Sequence, residues 1–202
     1  MGSRLMHLII ANKIAQYMSI ENKTLFLLGN IAPDAVPTKD ISHFFAGNSK
    51  DLSRHLDFNG FLHKYRTHID SHYILGYFTH LIADDIWVKG FYLPWLKNRM
   101  EANREIHTLH HNDFRLLNGK LLNYYGFADE IKRMLIYAPT VLDLEEVTSK
   151  DVEQFIPSVL GDMENDKDIT TETLNLYTFD QIIGYIETSV EQGVLHVKPL
   201  LQ

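Results

Sequence analysis

Residues 71–88 read SHYILGYFTHLIADDIWV, and the fold turns on how that stretch is interpreted. Eleven of its residues are apolar or aromatic and they fall on every side of a helical circumference. A helix that is apolar all round lies inside a protein core or a membrane. Yet the same stretch carries His72, His80, Asp84 and Asp85. A spacing of four stacks His80 over Asp84 on one face. A buried carboxylate left unpaired is costly, so Asp84 should meet a cation or a dense set of donors.

The rest of the chain bounds the answer. Its 202 residues suit one well-buried core, and a single domain spanning 1–202 is expected. Apolar and charged fractions of 45% and 22% are those of an ordinary globular protein. A formal net charge of -7 argues against non-specific nucleic-acid binding, which needs a basic footprint. The absence of cysteine excludes disulfides and thiolate metal sites, so a metal would have to use His, Asp, Glu, backbone or water. Histidine, at eleven residues, is about twice as frequent as general usage suggests. The N-terminal MGSRLMHLIIANKIAQYMS lacks the pattern of a secretory signal, because Asn12 and Lys13 interrupt its apolar run. Met6 stands where a myristoylation signal needs Ser or Thr. No stretch reaches roughly 18 uncharged apolar residues, so no transmembrane span is expected and cytoplasmic is the default localisation.

Apolar periodicity predicts a first helix over Leu5–Met18. Ser19 is read as the cap of a second helix, with Glu21 in its first turn and an end at Gly29-Asn30. Pro33 and Pro37 predict a non-helical IAPDAVPTKD segment, and Gly47-Asn48-Ser49 and Asn59-Gly60 are turn signals. The central helix should end or kink at Gly90 and Pro94. A long helix follows from Trp95 to about Tyr125, then a short one over Ala128–Ile136. Thr148 with Asp151 and Thr178 with Gln181 form capping boxes for two more helices, the last running to about Gln192. Between them, GDMENDKDITTET (161–173) reads as an exposed loop. No alternating strand or internal repeat is visible, and the fold class is all-α, a single-domain helical bundle.

Several ionisable residues sit in apolar settings. Asp34 follows a proline within LLGNIAPDAV, where its ordinary role would be an N-cap or Asx-turn. His43 lies between Ser42 and two phenylalanines, and His7 on the apolar face of the first helix. Each alone is explained by a hydrogen-bonded core residue. Together, His7, Asp34, His43, His80 and Asp84 share one desolvation problem that one or two cations would resolve. Mixed histidine and carboxylate ligands suit zinc, or another first-row divalent ion such as Mn2+ or Fe2+.

In order along the chain, MHLIIA (His7), GNIAPDAV (Asp34), Lys39 followed by SHF (His43), and GYFTHLIADD (His80, Asp84) resemble the zinc-dependent phospholipase C and S1/P1 nuclease family. The likeness covers about the first 90 residues. It implies that Asp34, His43, His80 and Asp84 bind one zinc, and that Asp84 bridges to a second shared with His7. Secreted members also use the amine and carbonyl of a processed N-terminal Trp, which this chain lacks. They place a further His six residues after the bridging Asp, where this chain has Gly90. A one- or two-metal site is therefore expected.

Around that core, Ser42 and Asp85 are candidates to orient the ligand rings. The run His107, His110, His111 and Asp113 is either a further ligand source or a solvated histidine-rich face. His63, His68 and His72 read as solvated, and Glu105, Glu145 and Glu146 as surface charges. The function implied is a metal-dependent hydrolase of a small phosphoester or phospholipid headgroup, with Asp34 as ligand and catalytic residue. The alternatives are a non-catalytic metal-binding helical protein and an HD-type phosphohydrolase. The latter needs an adjacent His-Asp pair, and no His here precedes Asp.

Overall fold

The computed structural model describes residues 2–48, 53–164 and 172–201. The fold is all-α, as the periodicity predicts. Its axis is α5 (His72–Trp87), buried on all sides as its composition requires. Around it pack α1 (Arg4–Tyr17), α2 (Lys23–Ile31), α4 (Phe58–Lys64) and α10 (Phe179–Val197). Helix α7 (Glu105–Tyr125) lies against α1, and α9 (Ser149–Asp162) against the turn after α2.

Helices α2 and α5 cross in close contact. A Cβ on Gly29 would lie 1.9 Å from the Tyr73 carbonyl oxygen, and one on Gly76 would lie 1.9 Å from the Phe26 carbonyl oxygen. Two glycines thus let the helix backbones touch. Gly29 is therefore a packing residue and not the helix stop read from the sequence: α2 runs to Ile31 and continues as a 3-10 turn over Ala32–Ala35. The segment expected to be non-helical thus carries that turn and the short α3 (Lys39–Ser42).

Other boundaries also differ. Ser19 adopts a left-handed φ of 52° after α1, and Asn22 caps α2 by accepting a hydrogen bond from the Leu25 N–H at 3.0 Å. The α-helix ends at Trp87, before Gly90, but the helical path does not stop there. It continues as a wider π-helix through Val88–Leu96, with Pro94 inside it and the Phe91 ring stacked 4.5 Å from Trp87. The helix expected from Trp95 to Tyr125 is broken at Asn103, whose extended backbone separates α6 (Lys97–Ala102) from α7. Helix α9 takes in Gly161 and Asp162, which the sequence suggested were loop, and α10 passes Gln192 to reach Val197. Both capping boxes form. Short strands β1 (Phe45–Ala46) and β2 (His55–Leu56) pair antiparallel, too short to leave an alternating pattern. Ser49 of the expected turn and residues 165–171 of the expected loop lie outside the described residues. Among the described residues no helix is long and apolar enough to cross a membrane.

Candidate metal centre

Each of the five candidate residues comes from a different place. His7 lies on α1, Asp34 in the 3-10 turn after α2, His43 just past α3, and His80 and Asp84 one turn apart on α5. The fold brings all five together. His7, His43, His80 and Asp84 are fully buried, and Asp34 opens towards a cleft.

The ring orientations are fixed from behind. His80 Nδ1 lies 2.6 Å from the Asn30 carbonyl oxygen, so Nδ1 donates there and Nε2 is the nitrogen turned to the cluster. Ser42 Oγ donates to the Pro33 carbonyl oxygen at 2.8 Å, which leaves it to accept from His43 Nδ1 at 3.0 Å. His43 Nε2 is then the nitrogen turned to the same point. The two Nε2 atoms face each other at 3.2 Å, and Asp84 Oδ2 is 3.3 Å from both. Asp84 Oδ2 has no aligned hydrogen-bond donor. Three potential ligand atoms thus converge in a sealed core, an arrangement that needs a positive charge among them, a shared proton or a bound cation.

The distances also fit a particular cation. Tetrahedral zinc with bonds near 2.0–2.1 Å separates its ligand atoms by about 3.3 Å. The His43, His80 and Asp84 atoms form a triangle of 3.2, 3.3 and 3.3 Å, and Asp34 Oδ1 stands 3.7 Å from His43 Nε2 but groups with His7 and His80.

The other side of Asp84 faces His7. Oδ1 lies 3.2 Å from His7 Nε2 and accepts the Gly2 N–H at 3.3 Å. Neither ring nitrogen of His7 has an aligned partner, and its ring stacks on His80 with centroids 3.8 Å apart. Two sets of potential ligands result: His43, His80 and Asp84, and His7, Asp34 and His80.

Electrostatics keep both carboxylates ionised. Burial pushes Asp84 up, but the charges of His7 and His80 and its contacts with His43 and His7 hold it well below the usual range. Burial likewise raises Asp34, and His80, Lys39, His43 and His7 together outweigh it, leaving a pKa of about 2. Lys39 Nζ donates to the Asp34 carbonyl oxygen and Oδ1, both at 2.8 Å.

Ser42 thus touches a ligand ring, as anticipated, while Asp85 turns away to Lys89 at 2.6 Å. Asp113 is fully buried, but its carboxylate accepts the backbone N–H groups of Asn175, Leu176 and Tyr177 and so anchors that segment. His110 faces the Tyr177 hydroxyl at 2.6 Å inside an aromatic cluster. His107, His110, His111 and Asp113 belong to neither ligand set. The same holds for His63, His68 and His72, of which His72 accepts the Asn22 N–H at 3.3 Å. Glu146 is not the surface charge expected: its buried side chain binds Lys64 and the Tyr65 hydroxyl.

Sequence reasoning missed three contributors. Asn30 was read as a helix end, yet its side chain ties three helices together. Nδ2 donates to the His7 carbonyl oxygen at 2.7 Å, and Oδ1 accepts from Thr79 Oγ1 at 3.1 Å and the His80 N–H at 3.2 Å. Tyr77 donates to the Ser42 carbonyl oxygen at 2.5 Å, steadying the residue that orients His43. Tyr185, on α10, brings a buried hydroxyl beside Gly2, where a Cβ would lie 2.8 Å from the hydroxyl and 3.3 Å from His7 Nε2. No spacing signal links any of these to the site.

Outside the cluster a cleft of about 600 Å3 opens, lined by Asp34 and Lys39 on one side and by His111, Phe114, Arg115 and Asn118 of α7 among the others.

Residues 6–87 match the family model described as zinc dependent phospholipase C. That match supports the zinc-dependent phospholipase C and P1-nuclease-like family for this chain, a family of hydrolases. The matched stretch holds all five clustered residues. No curated protein and no solved structure gives a significant match.

Proposed function

We propose that this protein is a metal-dependent phosphoester hydrolase whose ligands are His7, Asp34, His43, His80 and Asp84. The observation that carries the reading is the convergence of His43 Nε2, His80 Nε2 and Asp84 Oδ2 at 3.2–3.3 Å inside a sealed core. Zinc is the ion of choice, with Mn2+ or Fe2+ as alternatives, and one or two ions are proposed, with His80, common to both ligand sets, serving only one of them. Asp84 is the bridging candidate, because its two oxygens face different histidines.

When bound, such an ion polarises a phosphoryl oxygen and makes a nucleophile of water near neutral pH. The chain's own groups supply the rest. Asp34, at the cleft wall and ionised throughout the physiological range, accepts a hydrogen bond from the attacking water and so aims it. A carboxylate with a pKa of about 2 is better suited to ligation and orientation than to proton abstraction. Lys39, held on Asp34, brings a positive charge to the same wall for a phosphoryl oxygen. The buried histidine cluster excludes water from the interior side of the ligands. The net charge of -7 favours a small substrate over a long polyanion.

The test is elemental analysis of untagged protein, then assays on a phosphomonoester, a phosphodiester and phospholipid vesicles. The expected result is one to two ions per chain and metal-dependent turnover. Metal near stoichiometry with no turnover on any of these would favour a non-catalytic metal-binding protein instead.

A further inference from the structure

The cleft beside the metal cluster has a wall that the reading above does not use. His111, Arg115 and Asn118 recur at helical spacing along α7, with Phe114 between them, and all four line the cleft. Three cations, Arg4, Lys39 and Arg115, and three carboxylates, Asp34, Asp162 and Glu164, line the cleft, and two cation–carboxylate pairs are closed. Arg4 is bound to Asp162 at 2.8 Å and to the Ser158 hydroxyl at 2.7 Å, and Lys39 to Asp34 at 2.8 Å. Arg115 has neither a hydrogen bond nor an ion pair with any described residue. An unpaired guanidinium lining the same cleft as Asp34 and Lys39 is a planar, multidentate donor suited to phosphoryl oxygens.

The cleft is at the same time a poor receptor for a cationic headgroup. Quaternary ammonium groups are held by the open faces of aromatic rings. Of the two aromatic rings that line the cleft, Phe155 already carries the Arg4 guanidinium 5.2 Å from its centroid. Phe114 is packed against His110, with centroids 4.1 Å apart. When a cation occupies the Asp34 carboxylate, Lys39 loses its partner's charge and the cleft becomes more positive still.

We infer that Arg115 is the anion anchor of the cleft and that the substrate presents anionic phosphoryl oxygens, not a cationic headgroup, to the α7 wall. Asn118 is its polar neighbour: its Oδ1 accepts from Ser3 Oγ at 3.1 Å, which holds the amide in place along the same wall. This specificity rests on the hydrolase reading above, but the binding it predicts is measurable without turnover.

The experiment is calorimetric titration of full-length protein with inorganic phosphate, zinc-loaded and metal-free, for the wild type, Arg115→Ala and Arg115→Lys. Arg115 is exposed on its helix, so the variants should fold, and melting curves check this. Arg115→Ala should weaken phosphate about tenfold in both metal states, and Arg115→Lys should recover part of the loss. Kinetic arms then separate the sources of the anion, using a soluble phosphomonoester, phosphatidic acid vesicles and phosphatidylcholine vesicles. The variant should lose kcat/KM on whichever anionic substrate is turned over. Unchanged phosphate affinity in Arg115→Ala, no phosphate binding by the wild type, or a preference for phosphatidylcholine insensitive to Arg115→Ala would each overturn the inference. Arg115-dependent phosphate binding without turnover on any arm would instead overturn the hydrolase reading while leaving the anchor in place.

Discussion

The Nε2 atoms of His43 and His80 stand 3.2 Å apart, each presented by a hydrogen bond from the other nitrogen of its own ring. Two neutral imidazoles aimed nitrogen to nitrogen repel unless a cation lies between them. Without one, the pair must share a proton, with Asp84 Oδ2 3.3 Å from each. The core is therefore arranged around a positive charge, which a proton or a bound cation can supply.

Removing one corner of the triangle should remove the ion. His43→Ala and Asp84→Asn are expected to bind zinc at least 100-fold more weakly than wild type in competition with a chromophoric chelator. Zinc at 100 times its dissociation constant stabilises the folded state by about 2.7 kcal/mol, so the wild-type melting temperature should rise with zinc and the variants' should not. A variant that kept wild-type affinity would count against these ligands.

Ser42 acts only through His43. Ser42→Ala removes the acceptor for His43 Nδ1 and frees the ring to rotate or change tautomer. Zinc affinity should fall by about 10–100-fold, as for other groups behind a ligand, with a loss of only about 1 kcal/mol in urea unfolding. Comparable losses in affinity and stability would mean that Ser42 is a general packing residue.

The α2–α5 contact tolerates no side chain. In Gly76→Ala the new methyl would lie 1.9 Å from a backbone oxygen of α2, so the helices must separate, at a cost of about 3 kcal/mol. The same separation pulls the Asn30 carbonyl away from His80 Nδ1, and zinc binding should weaken in parallel. Gly184→Ala, exposed on α10 with nothing within 4 Å of its Cβ position, should gain about 0.5–1 kcal/mol. Denaturant midpoints of the two variants moving in the same direction would contradict this account.

Acid should weaken the fold through His110. Burial pushes its pKa down from 6.5 to about 4, helped by His111 and His107 and opposed by Asp113. The unfolded chain therefore binds the proton more readily than the folded one between those values. Stability is full above pH 6.5 and falls as the pH drops towards 4. After allowance for partial exposure, the loss is about 2 kcal/mol. In His110→Phe, unfolding free energies measured from pH 7 to pH 4 should slope less steeply than in wild type; an equal slope would exonerate His110.

Much of this was legible from composition and spacing. The all-round burial of α5, the two capping boxes and the polar residues stranded in apolar runs each leave a local mark in the chain. What failed were boundaries with non-local causes. Gly29 looks like a helix stop because glycine disfavours helices, yet here it permits contact with the Tyr73 backbone 44 positions away. Gly90 and Pro94 look like breakers, but a wider π-helix accommodates them while the Trp87–Phe91 stack continues the aromatic core. Glu146 looks solvated because its partners, Lys64 and Tyr65, are distant in sequence.

The sequence by itself determined an all-α chain, a core helix that had to bury His80 and Asp84, and three upstream residues with the same unmet need. Tertiary structure alone decided that those needs meet at one point. Ring orientations, the facing Nε2 pair and the two-faced Asp84 depend on Asn30, Ser42 and Pro33 standing behind the ligands. Hydrogen bonds between segments up to 50 residues apart follow from how helices cross, and a linear pattern of residue types does not encode that crossing.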